Sequence, residues 1–312
     1  MSTQLQKTPR TDAAASPPVG VAFPAGPGRR PHVGFVRRFY RSSFLGSAAT
    51  ILLIAIFAIG AFANIVSPYD PLAANFAATR REPSAQYLLG TDYLGRDVLS
   101  RIFYGARISL LVAVTSVLIG DAIGFIWGVS SGYLGRRFDM FSQRLLDIML
   151  SFPGLILAIL LMAALGARLE TVILAIAVSR VPLSTRVIRS VVLSVKEFAY
   201  VEAARCIGAT SPRIMFRHVA PQCLAPMLVI FSANLGTAIF AESALAFLGI
   251  GVPEPTPTWG RMLGGVLSEA FRPPWWLIVF PGAAITITIM AANLVGDALR
   301  DILDPRLKQR IG

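Results

Sequence analysis

Six stretches of this chain are apolar over about the length a helix needs to cross a lipid bilayer: residues 44–66, 106–131, 147–167, 171–192, 224–248 and 275–297. A spanning helix takes about 20 such residues. Lipid offers backbone N–H and C=O groups no partner, so each run must satisfy its own hydrogen bonds as a helix. A mean hydropathy of +0.63 agrees with this. The expectation is a polytopic, all-α membrane protein. The third and fourth runs are joined only by residues around Gly166 to Glu170, which predicts a tight helical hairpin.

A net charge of +12 could point to nucleic acid, but its distribution points to topology. With the N-terminus inside, 21 of the 29 Lys and Arg residues fall on one side of the membrane. The other 8 (Arg80, Arg81, Arg96, Arg101, Arg107, Arg168, Arg261 and Arg272) fall on the other. This is the positive-inside asymmetry, and it puts both termini in the cytoplasm. Cys206 and Cys223 then lie near a reducing compartment, where a disulfide is not expected and small packing roles are.

Residues 1–43 are basic and rich in Pro, Ala, Ser and Gly, and read as a disordered cytoplasmic tail. The first transmembrane helix, 44–66, precedes an external segment, 67–105, with the turn formers Ser67-Pro68, Asp70-Pro71 and Glu82-Pro83. Residues 106–298 form a five-helix core, interrupted by a cytoplasmic loop at 193–222, and 299–312 form a cytoplasmic C-terminal tail. Inside the loop, Phe198, Ala199, Ala203, Cys206 and Ile207 lie along one face of a short helix. Ser211-Pro212 opens a second, with Ser211 as cap. In the outer loop 249–274, Trp259, together with Trp275 and Trp276 just beyond, suits the membrane interface.

The same cytoplasmic loop contains Glu202-Ala203-Ala204-Arg205-Cys206-Ile207-Gly208, with Pro221 thirteen residues later. Two small residues beside a carboxylate let another backbone approach closely while offering one charge. Gly208 permits a turn that a Cβ would resist. Glu-Ala-Ala-Arg is also ordinary helix-forming sequence, but the spacing to Gly208 and Pro221 and the cytoplasmic placement favour docking. This pattern resembles the EAA loop of permease subunits in binding-protein-dependent ABC importers. His218 and Ala220 stand where many members have Ile and Leu.

Three further stretches are similar to the dipeptide/oligopeptide branch of that family, in its C-subunit type. The first is Leu89-Gly90-Thr91-Asp92-Tyr93-Leu94-Gly95-Arg96-Asp97 running on to Arg101 and Tyr104-Gly105-Ala106-Arg107. The others are Glu242-Ser243-Ala244-Leu245-Ala246-Phe247-Leu248-Gly249 and the closing Gly296-Asp297-Ala298-Leu299-Arg300-Asp301 with Leu303-Asp304-Pro305.

The resemblance implies a type I ABC importer permease core of six transmembrane helices, the first accessory, in a bacterial inner membrane. It implies a second permease subunit as heterodimer partner, two ATP-binding cassette ATPase subunits and an extracytoplasmic substrate-binding protein. Glu202, Ala203, Ala204, Gly208 and Pro221 would couple to the ATPase. Peptides are the expected cargo, with nickel or another small solute as the alternative. An ion-coupled secondary transporter is the competing class, but no convincing internal repeat supports it.

Polar groups within the apolar runs are the remaining candidates, because a carboxylate at mid-bilayer costs about 2.5–3.5 kcal/mol on insertion scales. Asp121 and Glu242 read equally as interhelical bonding groups or as lining of a pathway. Asn234, Ser243 and Asn293 add hydrogen-bonding capacity. Arg180, beside Pro182, could meet an anionic group of a substrate, but a structural role is favoured. Asp92, Arg96, Asp97 and Arg101 alternate in sign and are expected to pair among themselves. The chain has no G-x-x-x-x-G-K-[S/T] phosphate loop, no metal-ligand histidine spacing and no catalytic constellation. No cofactor, metal or enzymatic activity is expected.

Overall fold

The computed structural model describes residues 44–269 and 273–303. The tail 1–43, Arg272 and the chain beyond 303, with Asp304-Pro305, lie outside the described residues. Among those described, every regular element is helical.

The first helix, α1 (Phe44–Ala61), is apolar on all sides and mostly exposed, as expected for a helix that meets lipid. A single turn, α2 (Ala63–Val66), continues it. Gly60 brings α1 against the next long helix: a Cβ there would lie 3.0 Å from the Arg107 backbone nitrogen.

That long helix, α3, runs Val98–Leu134, eight residues further out than the apolar run beginning at 106 suggests. The reason is its cap. Asp97 sits in extended backbone and its carboxylate accepts from the Ser100 N–H at 2.8 Å, holding the first turn despite polar Ser100 and Arg101. At 37 residues α3 is about 55 Å long and projects well beyond a ~30 Å hydrocarbon core. It stops at Gly135, whose φ of +61° ends the helix.

The apolar run at 147–167 is not one helix. Helix α4 (Arg136–Leu150) and helix α5 (Gly154–Leu165) meet at 86° across Ser151-Phe152-Pro153. Pro153 breaks the run, since the residue before a proline is driven out of helical backbone. Among the described residues five helices are long and apolar enough to cross a bilayer, and the count is six if the bent pair is taken as one span.

The expected hairpin follows: Gly166, at φ +84°, turns the chain into α6 (Leu169–Val195). Helix α6 packs along α3 over four turns because Gly120, Gly124, Gly128 and Gly132 place no side chain between them. A Cβ on these would fall 2.5 Å from Ala177 O, 2.7 Å from Ser184 Cβ, 2.7 Å from Thr185 O and 2.8 Å from Val192 Cγ1. Without a hydrophobic drive inside lipid, such close packing is what holds helices together.

After the loop come α7 (Ala199–Cys206) and α8 (Ser211–Ile214), with Thr210 rather than Ser211 in the cap position. A π-helical turn (Met215–Val219) and a 3-10 turn (Ala220–Cys223) lead into α9 (Leu224–Phe247). An outer helix, α10 (Trp259–Glu269), precedes α11 (Trp275–Leu303), which packs along α9. Gly236 faces Asn293 there: a Cβ would stand 2.5 Å from its Oδ1.

The outer segment folds into a compact cap. Asp92 holds Arg96 at 2.6 Å and stands 3.6 Å from Arg101, as the alternating charges suggest, but Asp97 serves α3 as its cap and makes no ion pair among the described residues. Two tryptophans also depart from expectation. Trp259 and Trp276 are buried in protein, donating to Ile102 O at 3.0 Å and Thr91 O at 3.2 Å. Trp275 is exposed, as an interface residue would be.

Candidate functional site

The Glu202 loop is anchored as a solid piece. Val201 and Ala204 on α7 turn inward and pack with Ile214, Met215, Val219 and Cys223 against Ile188 and Val192 of α6 and Val129 of α3. Arg205 lies over the Tyr133 ring at 5.6 Å, tying α7 to the last turn of α3. The face carrying Phe198, Ala199, Ala203, Cys206 and Ile207 is therefore not the one that packs on the protein. It points outward, with Ile207 85% exposed.

The end of α7 is fixed by its backbone. The Ala209 N–H reaches Ala204 O at 3.1 Å and the Gly208 N–H reaches Arg205 O at 3.0 Å, a Schellman closure. This requires the left-handed backbone of Gly208, φ +78°. Pro221 lies in the 3-10 turn that starts α9.

Beside α7 is an open cleft of about 640 Å³, lined by Tyr200, Ala203, Ala204, Ile207, Gly208 and Ala209, with Arg213, Arg217 and His218 at its edge. Glu202 is exposed in the first turn of α7, and its carboxylate makes no hydrogen bond or ion pair within the described residues. Burial, and next Cys223, push the Tyr200 phenol above its ordinary value. The surface thus offers a free carboxylate, a small-residue floor and exposed apolar rims.

A second constellation lies within the helices. Asp121 on α3 is fully buried, and its Oδ1 accepts from Ser184 Oγ on α6 at 2.5 Å and from Asn234 Nδ2 on α9 at 2.8 Å. Its Oδ2 has no hydrogen-bond partner among the described residues, nor does the Nε of Arg180, one helical turn from Ser184. Three of the four polar candidates (Asp121, Asn234 and Arg180) therefore come together. Glu242 does not join them. It is buried toward the outer end of α9, among the hydroxyls of Ser109, Thr258 and Ser243.

Sequence reasoning passed over three contributors. Ser184 carried no signal of its own. The glycines at 120, 124, 128 and 132 did, in their four-residue spacing. Asp139 on α4 holds Arg189 of α6 by two bonds, at 2.6 and 2.5 Å, and accepts from Ser131 at 2.6 Å.

A bundle of apolar helices long enough to cross a bilayer, packed around a buried polar layer, defines a multi-pass membrane protein. The family of binding-protein-dependent transport system inner membrane components matches residues 124–309. The chain belongs to this family, whose members are the permease subunits of ABC importers and not enzymes. It is 39% identical over 283 residues to a glutathione transport system permease protein of Pectobacterium atrosepticum, covering 90% of this chain and 93% of that one. With a di/tripeptide transport system permease protein of Pseudomonas aeruginosa it shares 42% identity over 270 residues, covering 85% and 88%. Its fold is like that of a chain in an inward-facing MetNI methionine ABC transporter, at a TM-score of 0.55 and 17% identity, covering 66% of this chain and 97% of that one.

Proposed function

We propose that this chain is the permease subunit of an ABC importer for peptides, and that it forms half of a translocation pathway with a second, different permease subunit. Substrate would arrive from an extracytoplasmic binding protein, and two ATPase subunits would seat on the Glu202 side. The observation that carries this reading is Glu202 itself, exposed and unpaired among the described residues, on a helix whose opposite face is packed onto α3 and α6. A force applied to α7 would reach the spanning helices through this packing.

In this reading Glu202 bonds the ATPase, and Ala203 and Ala204 permit its close approach. Gly208 shapes the turn, and Pro221 sets the angle at which α9 begins. ATP-driven closure of the ATPases biases a two-state rigid-body swing of the core. The charge asymmetry supports a cytoplasmic location for this loop and both termini, with 1–43 and 299–312 as tails, 67–105 as the external segment and 106–298 as the core. Asp121 and Asn234 hold the helices that back the pathway, and Glu242 braces their outer end. Arg180, one turn from Ser184 on α6, is read first as a structural member of this set, with contact to an anionic group of the substrate as the alternative. Peptide cargo is supported by the named substrates of the relatives, which are glutathione and di- or tripeptides.

The test is a mild-detergent pull-down from the native membrane with Glu202→Lys alongside. Recovery of a P-loop ATPase and a second permease with the native chain, and loss of the ATPase with the variant, is expected. A preparation that transports alone, without any ATPase, would overturn the reading.

A further inference from the structure

Helix α4 presents two different surfaces. Ser142 and Leu146 are buried against the protein, whereas Phe138, Phe141, Leu145 and Ile148 form an exposed apolar stripe, with Phe141 74% exposed. At 100° per residue, Arg137 and Arg144 fall on one line, each one turn before an apolar member of the stripe, Phe141 and Ile148.

The charges on this helix are not balanced locally. Its two carboxylates are already engaged by α6: Asp139 by Arg189 and Asp147 by Arg186. Arg137 and Arg144 are exposed and have no carboxylate within ion-pair distance among the described residues. A cation line therefore borders an apolar stripe, the arrangement of a helix lying in a membrane interface.

Between α4 and α3 lies an open groove of about 490 Å³, walled by Ile123, Ile126 and Trp127 on one side and Phe138, Phe141 and Leu145 on the other. The α3 wall continues into Leu118 and Ile119, which are exposed on the same helix within a spanning segment. The groove is thus continuous with the apolar surface of a spanning segment, and the line of Arg137 and Arg144 runs beside its α4 wall.

We propose that this groove binds an anionic phospholipid, an acyl chain lying beside Trp127 and the phosphate resting on Arg137 and Arg144. Because α4 is bonded to α6, an occupied site would brace α4 at the end of the bundle that carries the Glu202 loop. A second protein subunit could also cover an apolar stripe, but it would have to place acidic groups along the same line as both arginines, whereas an anionic lipid surface presents phosphates all along it.

The probe is phosphatidylglycerol or phosphatidylcholine with brominated acyl chains, reconstituted at equal mole fraction in nanodiscs with the purified native complex. Brominated phosphatidylglycerol is expected to quench tryptophan fluorescence more strongly than the choline lipid. The headgroup-dependent part should vanish in Trp127→Phe. It should fall roughly tenfold or more in the Arg137→Gln/Arg144→Gln double variant, each arginine near an anionic surface being worth ~1 kcal/mol.

Should the double variant fail to assemble, salt titration of the native complex decides, since screening must erode the phosphatidylglycerol preference. Equal quenching by both lipids would reduce the groove to ordinary bilayer contact and overturn the proposal. A headgroup difference that survives in Trp127→Phe, or a Trp127 that neither lipid quenches, would place the lipid elsewhere or a protein in the groove.

Discussion

Asp121 and Asn234, 113 residues apart in sequence, are joined by a 2.8 Å hydrogen bond inside the helical bundle. Ser184 completes the contact from a third helix at 2.5 Å, so one carboxylate oxygen holds α3, α6 and α9 at a single level. A buried carboxylate is costly in this setting, and its two donors offset part of that cost.

Asp121→Leu removes both bonds and leaves the Asn234 amide only its long 3.4 Å contact to Ser184 Oγ. Interhelical hydrogen bonds in membranes are worth about 0.6 kcal/mol on average and up to ~1.7. A loss of about 1–3 kcal/mol and a lower unfolding midpoint in detergent are expected. Asp121→Asn, which keeps an acceptor oxygen, should lose less. Equal damage from both would show that charge rather than bonding matters there.

Gly124→Ala inserts a methyl where only 2.7 Å separates the new Cβ from Ser184 Cβ. The helices must separate, at a cost of about 1–3 kcal/mol typical of overpacking, and Ser184 is carried away from Asp121. Gly282→Ala on α11 is the control, because a Cβ there meets nothing within 4 Å. Thermal unfolding of the two variants side by side would separate crowding from any general intolerance of alanine.

Glu202→Lys should abolish transport while the chain remains in the membrane, because α7 is held by Val201 and Ala204 and not by Glu202. Normal uptake by this variant would sink the docking role.

Gly208→Val should weaken coupling through backbone strain, not collision, since a Cβ there would meet no atom within 4 Å but φ is +78°. The left-handed region costs a β-branched residue about 1–2 kcal/mol or more. Gly208→Asn should be milder, as Asn tolerates that backbone. Stimulated ATPase activity measured for both would distinguish the turn from the side chain; unchanged activity in the valine variant would count against the turn.

Arg189→Ala should loosen the Arg136 end of α4 from α6, leaving the Asp147–Arg186 pair in place, at a cost of ~1–3 kcal/mol, the scale of hydrogen bonds to a charged group. Exchanging the partners, Asp139→Arg with Arg189→Asp, should recover part of the loss. Protease accessibility of the 136–150 segment would report the release, and a segment equally protected in the single variant would exclude the clamp.

The spans were legible because hydropathy is a local property, and lipid enforces its consequence on each run separately. Local chemistry also showed the Gly166 turn, the Gly208 turn and the Glu202 loop. The break inside 147–167 was written in Pro153 yet hidden by unbroken hydrophobicity. The extension of α3 to Val98 was hidden because a cap by Asp97 outweighs the polar residues that follow it. Trp259 and Trp276 fit an interface by composition, but they found buried acceptors at Ile102 and Thr91, far away in sequence.

By itself the sequence determined an all-helical membrane permease and the position of its Glu202 loop, since apolar length, turn residues and motif spacing all act within a few turns of chain. Only the tertiary structure decided which face of α7 is free, and that Asp121 meets Ser184 and Asn234. It also decided that four glycines on α3 admit α6 and that α4 leaves Arg137 and Arg144 without a carboxylate partner among the described residues. These depend on the rotation and separation of helices that pack across the bundle, and no local pattern fixes those quantities.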